Sequence, residues 1–442
     1  MPSTAEKKSK IHWQILIVAR VIILAQAILV LSLSPSIYND YANNLKDSHS
    51  TPVPSRLLMD ETGWAESCDY HIFLSGTTPM AHLRDDGSIL AGTTGQDMGT
   101  FLNSVLTSNK KECFESGTYI FQSQYLINNI RSLSVVGQGN ATVFQAGANL
   151  SSGDFIKVVA SSNITIAYIK VIGLSSLSSG GGITVQSSDH VTIDHVVVTE
   201  SPDNGIWLSG DKYVSLSHVV LTGNGNAFLG SPTHNNGGLE IDANSPYGPS
   251  DGIWVTDSEA DNNFGPGFSV HNCNGSTSNP CATGTSPSNH LFFQNVLSQD
   301  NRNYGSAITN GVGFGLYHWN NTSCLNCRTS GNQYAGFFIN GNTNGALTII
   351  GSAEDSTSTV IEARYASPRS VRINIGHYRG FQQDLADPTN IALADQVALL
   401  ATTALISLNI KSSRKVSLNP VDSSPKLLEL SHCEKQEVIA NV

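Results

Sequence analysis

Gly205-Ile206-Trp207-Leu208-Ser209 and Gly238-Leu239-Glu240-Ile241-Asp242 carry one pattern: glycine, apolar, variable, apolar, variable. Gly182-Ile183-Thr184-Val185-Gln186, Gly267-Phe268-Ser269-Val270-His271 and Gly336-Phe337-Phe338-Ile339-Asn340 repeat it. Strict alternation is the period of a strand, not of a helix. The first two segments in chain order, at Gly182 and Gly205, begin 23 residues apart, and the later gaps read as that period plus inserted loops. A fixed period in the low twenties, built of strands, marks a solenoid whose repeats bury their apolar faces by stacking. A second ladder aligns in the same units: Val191-Thr-Ile-Asp-His-Val196, Val214-Ser-Leu-Ser-His-Val219, Ile253-Trp-Val-Thr-Asp-Ser258 and Leu291-Phe-Phe-Gln-Asn-Val296. Each turn therefore supplies at least two parallel strands around a continuous apolar interior.

The composition agrees. The chain has 442 residues with 40% hydrophobic, only 13% charged and 39 glycines. Alternating apolar content of that size excludes a disordered chain, and the turn-rich, charge-poor remainder suits stacked strands. Net charge is −11, and no basic stripe is present, which argues against a nucleic-acid partner.

Lys7, Lys8 and Lys10 precede an apolar stretch, residues 11–33, long enough to span a bilayer. The lysines favour a cytoplasmic tail over residues 1–10 and an extracellular remainder. Arg20 within the stretch costs roughly 2.5–3.5 kcal/mol at a helix centre. It leaves a second reading open: a cleaved signal peptide with Val21–Leu33 as its apolar core and a secreted product. Residues 34–66, polar and proline-bearing, read as a linker. Seven cysteines fit an oxidising exterior. Cys68 and Cys113 are placed to staple the start of the fold. Cys273 and Cys281 bracket a loop, Cys324-x-x-Cys327 reads as a local disulfide or two buried thiols, and Cys433 is left over.

Residues 67–116 read as the start and cap of the solenoid, 117–352 as its body, and 353–442 as a C-terminal cap and tail. Met98, Phe101, Leu102, Val105 and Leu106 form a helical stripe with Asp97 as N-cap. Cys113-Phe-Glu-Ser-Gly-Thr-Tyr-Ile-Phe121 follows, then Leu133-Ser-Val-Val-Gly-Gln-Gly-Asn-Ala-Thr-Val-Phe144. An amphipathic helix, a Gly-Thr-Tyr strand and a Val-x-Gly-x-Gly-x-x-Thr segment resemble the beginning of right-handed parallel β-helix proteins of the pectin-lyase-like superfamily. The resemblance covers roughly residues 70 to 350. It implies an all-β, right-handed parallel β-helix whose open end is plugged by the helix. The superfamily includes polysaccharide lyases, glycoside hydrolases, epimerases and phage adhesins, so it does not choose a reaction. Polygalacturonases of this fold carry Asn-Thr-Asp, Asp-Asp, Gly-His-Gly and Arg-Ile-Lys motifs. Ser201-Pro-Asp203 echoes the first, and the others have no match here. The Asp-Pro-His motif of alginate epimerases is absent, and Lys212, Arg302 and Arg328, candidates for a lyase base, lie off the repeated strands.

In the repeated segment the apolar residues point inward and the variable ones outward. Stacking gives two outer columns: Thr184, Trp207, Glu240, Ser269, Phe338, and Gln186, Ser209, Asp242, His271, Asn340. The rung after Gly267 is either Gly313–Tyr317, which adds Tyr317 to the second column, or Gly305–Thr309. Adjacent strands lie ~4.8 Å apart, and Glu240 and Asp242 ~6.6 Å apart along theirs. Paired carboxylates suit acid–base cleavage of a glycosidic bond, and like charges raise one carboxyl pKa, as a general acid needs. Glu240, Asp242 and His271 are the candidate catalytic residues. Trp207, Tyr317 and Phe338 are the candidate sugar-stacking residues. The expected partner is a polysaccharide or cell-surface glycan, met by a glycosidase more readily than a lyase; the competing readings are a non-catalytic carbohydrate-binding or adhesion module and a structural surface. Outward residues of a solenoid are ordinarily just solvated. Asp257, Glu259 and Asp261 cluster oxygen ligands of the kind Ca2+ takes, without EF-hand spacing. His195 and His218 occupy equivalent turn positions and read as a ladder rather than a metal site.

Overall fold

The computed structural model describes residues 67–418 and 439–440, except 151–152, 175–179, 226–236, 244–246, 272–287, 303–310, 318–319, 341–345, 355–360, 365–369, 379–404 and 411–416. The apolar stretch 11–33 lies outside the described residues, as do the Cys273–Cys281 loop and Cys433. No described helix is long and apolar enough to cross a membrane.

The fold is a parallel β-helix. Every pairing between rungs is parallel. The antiparallel pairs are confined to the opening hairpin, Tyr70–Ser75 with Thr78–Leu83 and then Ile89–Ala91. A rung has three strand segments. Asp189–Thr199 bends at His195, so that its two halves pair separately with Lys212–Ser217 and Val220–Thr222 of the next rung. The third segment, Ile206–Ser209, belongs to a separate nine-stranded parallel sheet. The bend recurs at Tyr168, His195, His218, Asp257, Asn295 and Asn326, all with φ of 50–55°. The left-handed region is rare for residues other than glycine and enriched in Asn, Asp and His, which is why this column holds mostly those types. Here Tyr168, His195 and His218 stack ring on ring, with centroids 4.8 and 4.2 Å apart.

The interior is filled by the inward residues. On the nine-stranded sheet these run Ile156, Ile183, Ile206, Leu239, Phe268, Phe314 and Phe337, all fully buried. The phenylalanines stack along the axis at 5.2 Å. Two ladders of polar side chains run beside this core. Asn224, Asn263, Asn301 and Asn332 each accept from the amides of the asparagine or serine one rung back, and their side-chain N–H groups donate to backbone carbonyls. The glycine of the repeat exists for this ladder. A Cβ on Gly205 would lie 2.8 Å from Asn224 Nδ2, and one on Gly267 2.8 Å from Asn301 Nδ2.

The single described helix, α1 (Met98–Val105), closes the first rung. Asp97 accepts from Thr100 N at 2.8 Å, as an N-cap does. Met98, Phe101 and Leu102 enter the core. Asn103 satisfies the edge of the nine-stranded sheet, donating to Gln124 O at 2.9 Å and accepting from Leu126 N at 3.0 Å. An open edge strand invites pairing with another chain, and the helix removes that hazard. Cys68–Cys113 and Cys324–Cys327 are disulfides.

The ladder runs past Ser352. Ile361–Arg364 pairs with the strand carrying Phe338, and Ser370–Tyr378 pairs onward with Leu405–Ile410. The stretch from Pro388, within the C-terminal cap and tail expected over 353–442, therefore ends in a strand. Ile406, Leu408 and Ile410 alternate with Ser and Asn, a period of two that its alanine-rich start concealed.

Candidate functional site

The nine-stranded sheet aligns the two expected columns in register. Thr184 pairs with Trp207, Trp207 with Glu240, and Glu240 with Ser269; Gln186 pairs with Ser209, Ser209 with Asp242, and Asp242 with His271. The rung after Gly267 is Val312–Tyr317, so Tyr317 stands beside His271 in the backbone register and Asn340 follows. One rung earlier, Ile156–Val159 places Lys157 beside Thr184. That rung has Phe155 where the motif has glycine, which hid Lys157 from a search for the repeat.

Solvation is where the expectation fails. Thr184, Gln186, Ser209, Asp242 and Ser269 are buried, Asp242 to 1% exposure, and Trp207 and Glu240 are partly buried. This outer face is a covered polar strip, not an open one. Phe338 is completely buried against Tyr334, Val312 and Ala335, so its ring offers no stacking face to a sugar.

The strip is short of hydrogen-bond partners. Thr184 Oγ1, Gln186 Oε1, Trp207 Nε1, Ser209 Oγ and Ser269 Oγ are buried with none among the described residues. Buried polar atoms are paired in the great majority of cases, and leaving one unpaired costs about 1–3 kcal/mol. Five along one strip mark a surface shaped for something other than stability.

Carboxylates gather at its centre. Asn204 Nδ2 donates to Glu240 Oε2 at 2.5 Å, and Gly237 N donates to Asn204 Oδ1 at 2.8 Å, which fixes the orientation of the amide. Burial lifts the Glu240 carboxyl well above its ordinary range, and the charges of Asp242 and Asp203 push it further, against the opposing pull of Asn204. Burial also raises Asp203, to about 6, with the neighbouring Asp154 adding to it. Asp154 in turn meets Lys157 Nζ at 3.0 Å. In the sequence, Asp203 and Asn204 lie in the segment that carries the Ser201-Pro-Asp203 echo. Their roles here follow from a turn that folds back over the next rung, which no local pattern announces.

The three acidic residues Asp257, Glu259 and Asp261 do not form a converging cluster among the described residues. Asp257 lies in the bend, and Glu259 and Asp261 flank the inward Ala260 on the following strand. Each carboxylate is taken by a different amide: Asp257 by Asn295, Glu259 by Gln299, Asp261 by Asn262. The described residues that do converge are Asp194, His195 and His218. Asp194 accepts from Ser217 Oγ at 2.5 Å and faces the Nδ1 atoms of His195 and His218 at 2.9 and 3.4 Å. Partial burial opposes it, yet Ser217 and the two imidazoles hold the Asp194 carboxyl below its usual range. The rings are stacked 20° from parallel. A metal must lie near the plane of each imidazole it binds, which near-parallel rings one above the other do not allow.

No family model matches the sequence, and no curated protein is similar to it. Solved structures are similar at low identity. The catalytic domain of a GH87 α-1,3-glucanase in complex with nigerose shares 12% identity at a TM-score of 0.43, over 64% of this chain and 58% of that one. A pectate lyase, Pel9A, shares 13% at 0.42, over 61% and 73%. A polygalacturonase from Erwinia carotovora ssp. carotovora shares 12% at 0.41, over 78% and 92%. The parallel β-helix of this chain rests on its own strand pairing.

Proposed function

We propose that this protein cleaves a polysaccharide by acid–base hydrolysis on the covered polar strip of the nine-stranded sheet. The observation that carries the reading is the gathering of buried Asp242 with partly buried Glu240 and Asp203, beside five buried polar atoms that have no partner among the described residues. Glu240, its carboxyl raised by burial and by the neighbouring carboxylates, donates its proton to the glycosidic oxygen as the C–O bond breaks. Asp242 or Asp203 takes the proton from the water that adds to the anomeric carbon. Asn204 holds Glu240 in place. Trp207 offers its ring and an indole N–H beside the acid, and His271 stands in register with Asp242 to orient it.

The β-helix is placed outside the membrane, tethered by residues 11–33. Support for the exterior comes from two disulfides on the described chain. N-terminal sequencing of the mature protein separates the tether from a cleaved signal peptide.

The deciding experiment is a depolymerisation screen of the full-length protein on a polysaccharide panel, scored by new reducing ends. Activity lost in both Glu240→Gln and Asp242→Asn is the expected result. Turnover that survives both substitutions sinks the catalytic reading, and binding without turnover in the unsubstituted protein makes the strip a binding groove.

A further inference from the structure

A second surface, on a different face of the solenoid, has the makings of a ligand site. On the strands Asp189–Thr199, Lys212–Ser217, Asp251–Thr256 and Asn289–Gln294, aromatic rings and imidazoles line up across successive rungs. His190 and Tyr213 have centroids 5.0 Å apart, and Tyr213 and Trp254 lie 6.4 Å apart and within 17° of parallel. Tyr213 is 50% and Trp254 39% exposed. Among the described residues these are the two aromatic side chains left exposed.

The arrangement is built rather than incidental. Gly252 takes the position that His190, Tyr213 and His290 take in their rungs, all with positive φ, its own at +68°. A Cβ there would stand 3.1 Å from both Tyr213 Cδ1 and Trp254 Cη2. The glycine thus leaves room for the indole and the tyrosine ring to approach each other, near-parallel. At the two ends of the row, carboxylates hold the imidazoles: Asp189 Oδ2 lies 2.9 Å from His190 Nδ1, and Asp251 Oδ1 2.8 Å from His290 Nδ1.

We propose that the Tyr213–Trp254 platform binds a neutral polysaccharide chain running along the solenoid axis, at a site separate from the Glu240 strip. A pyranose offers an apolar face ringed by hydroxyls. The platform is complementary: two exposed, near-parallel rings with centroids 6.4 Å apart, edged by donors and acceptors. A protein partner needs a wider surface, about 1,200 Å² in total with an apolar centre. The other large exposed apolar side chains among the described residues, Ile89, Leu90, Ile120 and Leu126, belong to the first strands of the chain. The rim carboxylates and the net charge of −11 disfavour a polyanion. The site stands or falls independently of the hydrolytic reading.

The test is native electrophoresis of the full-length protein through gels containing soluble xylan, mixed-linkage β-glucan or, as the anionic probe, homogalacturonan. The unsubstituted protein should be retarded by at least one of the neutral glycans. Trp254→Ala should weaken that retardation about tenfold in apparent Kd, and Tyr213→Ala with Trp254→Ala should abolish it. Both side chains are exposed, so thermal melts should coincide and exclude misfolding. The proposal is overturned by absence of retardation in both neutral gels, by retardation in homogalacturonan alone, or by retardation unchanged in the double variant. A fall in sedimenting mass on Trp254→Ala also overturns it, assigning the platform to self-association. Binding lost in Glu240→Gln but kept in Trp254→Ala moves the glycan site to the strip.

Discussion

The asparagine ladder and the Glu240 strip are both buried polar columns, they run through overlapping rungs, and they are finished differently. Along the ladder, each asparagine accepts the backbone amide of the residue one rung back and donates to a carbonyl, so the column repays its own desolvation. Along the strip, Trp207 Nε1, Ser209 Oγ and Ser269 Oγ have no partner among the described residues, and a carboxyl sits among like charges. The same solenoid thus closes its hydrogen bonds where the column is architecture and leaves them open where a ligand would complete them.

The largest expected effect breaks this contrast on the strip side. Glu240→Gln should cut turnover about 10²–10⁴-fold, the contribution of a positioned general acid, with the melting temperature unchanged or higher because a crowded carboxyl is gone. An isosteric change that lowered stability and spared turnover would make the strip a second ladder. On the other side, Asn263→Ala should cost about 3 kcal/mol in denaturant unfolding. It removes an acceptor from two Asn224 groups and a donor to Leu221 O. Turnover at a temperature where the variant remains folded should be unaltered.

Much of this was legible in the sequence. The inward apolar residues announce themselves by alternation, and the register of Glu240, Asp242 and His271 follows from counting from the glycine. The glycine was legible as a marker but not as a cause, because the asparagine it accommodates comes from a turn further along the chain. The covering of the strip was not legible at all. Alternation says which residues leave the core, and burial of the outward ones depends on chain far away in sequence. The same limit hid Asp203 and Asn204, whose partners lie a rung ahead, and the Tyr213–Trp254 pair, which sits at different strand positions in successive rungs.

Asn204 tests whether the strip is tuned as well as unsatisfied. Its amide stabilises ionised Glu240, so Asn204→Ala should shift the alkaline limb of the pH–rate profile upward, since the acid then stays protonated to higher pH. The maximal rate should fall about tenfold as Glu240 loses its support. A fall in rate with an unmoved limb would make Asn204 a packing residue only.

Asp211 offers the sharpest internal comparison, because it places a carboxyl inside a satisfied ladder. Ser161, Ser188, Asp211, Ser250 and Ser288 succeed one another, and each accepts the backbone amide of the residue one rung back. Asp211 accepts twice, from Ser188 N and Ser209 N, both at 2.8 Å. Burial still outweighs those two donors and raises its carboxyl to about 8. A folded pKa above the unfolded one means that the native state holds a proton the unfolded state has released. Stability therefore falls as pH rises from about 4 to about 8, by at most about 1.4 kcal/mol per unit, and levels off above. Asp211→Ser, which restores the residue of its neighbours, should remove that slope. The melting temperature of the variant should gain on the unsubstituted protein with each unit between pH 5 and 8. A difference that does not change with pH would mean that the two backbone amides keep Asp211 ionised. A carboxylate in this solenoid would then need only partners, and burial alone would not explain the raised Glu240.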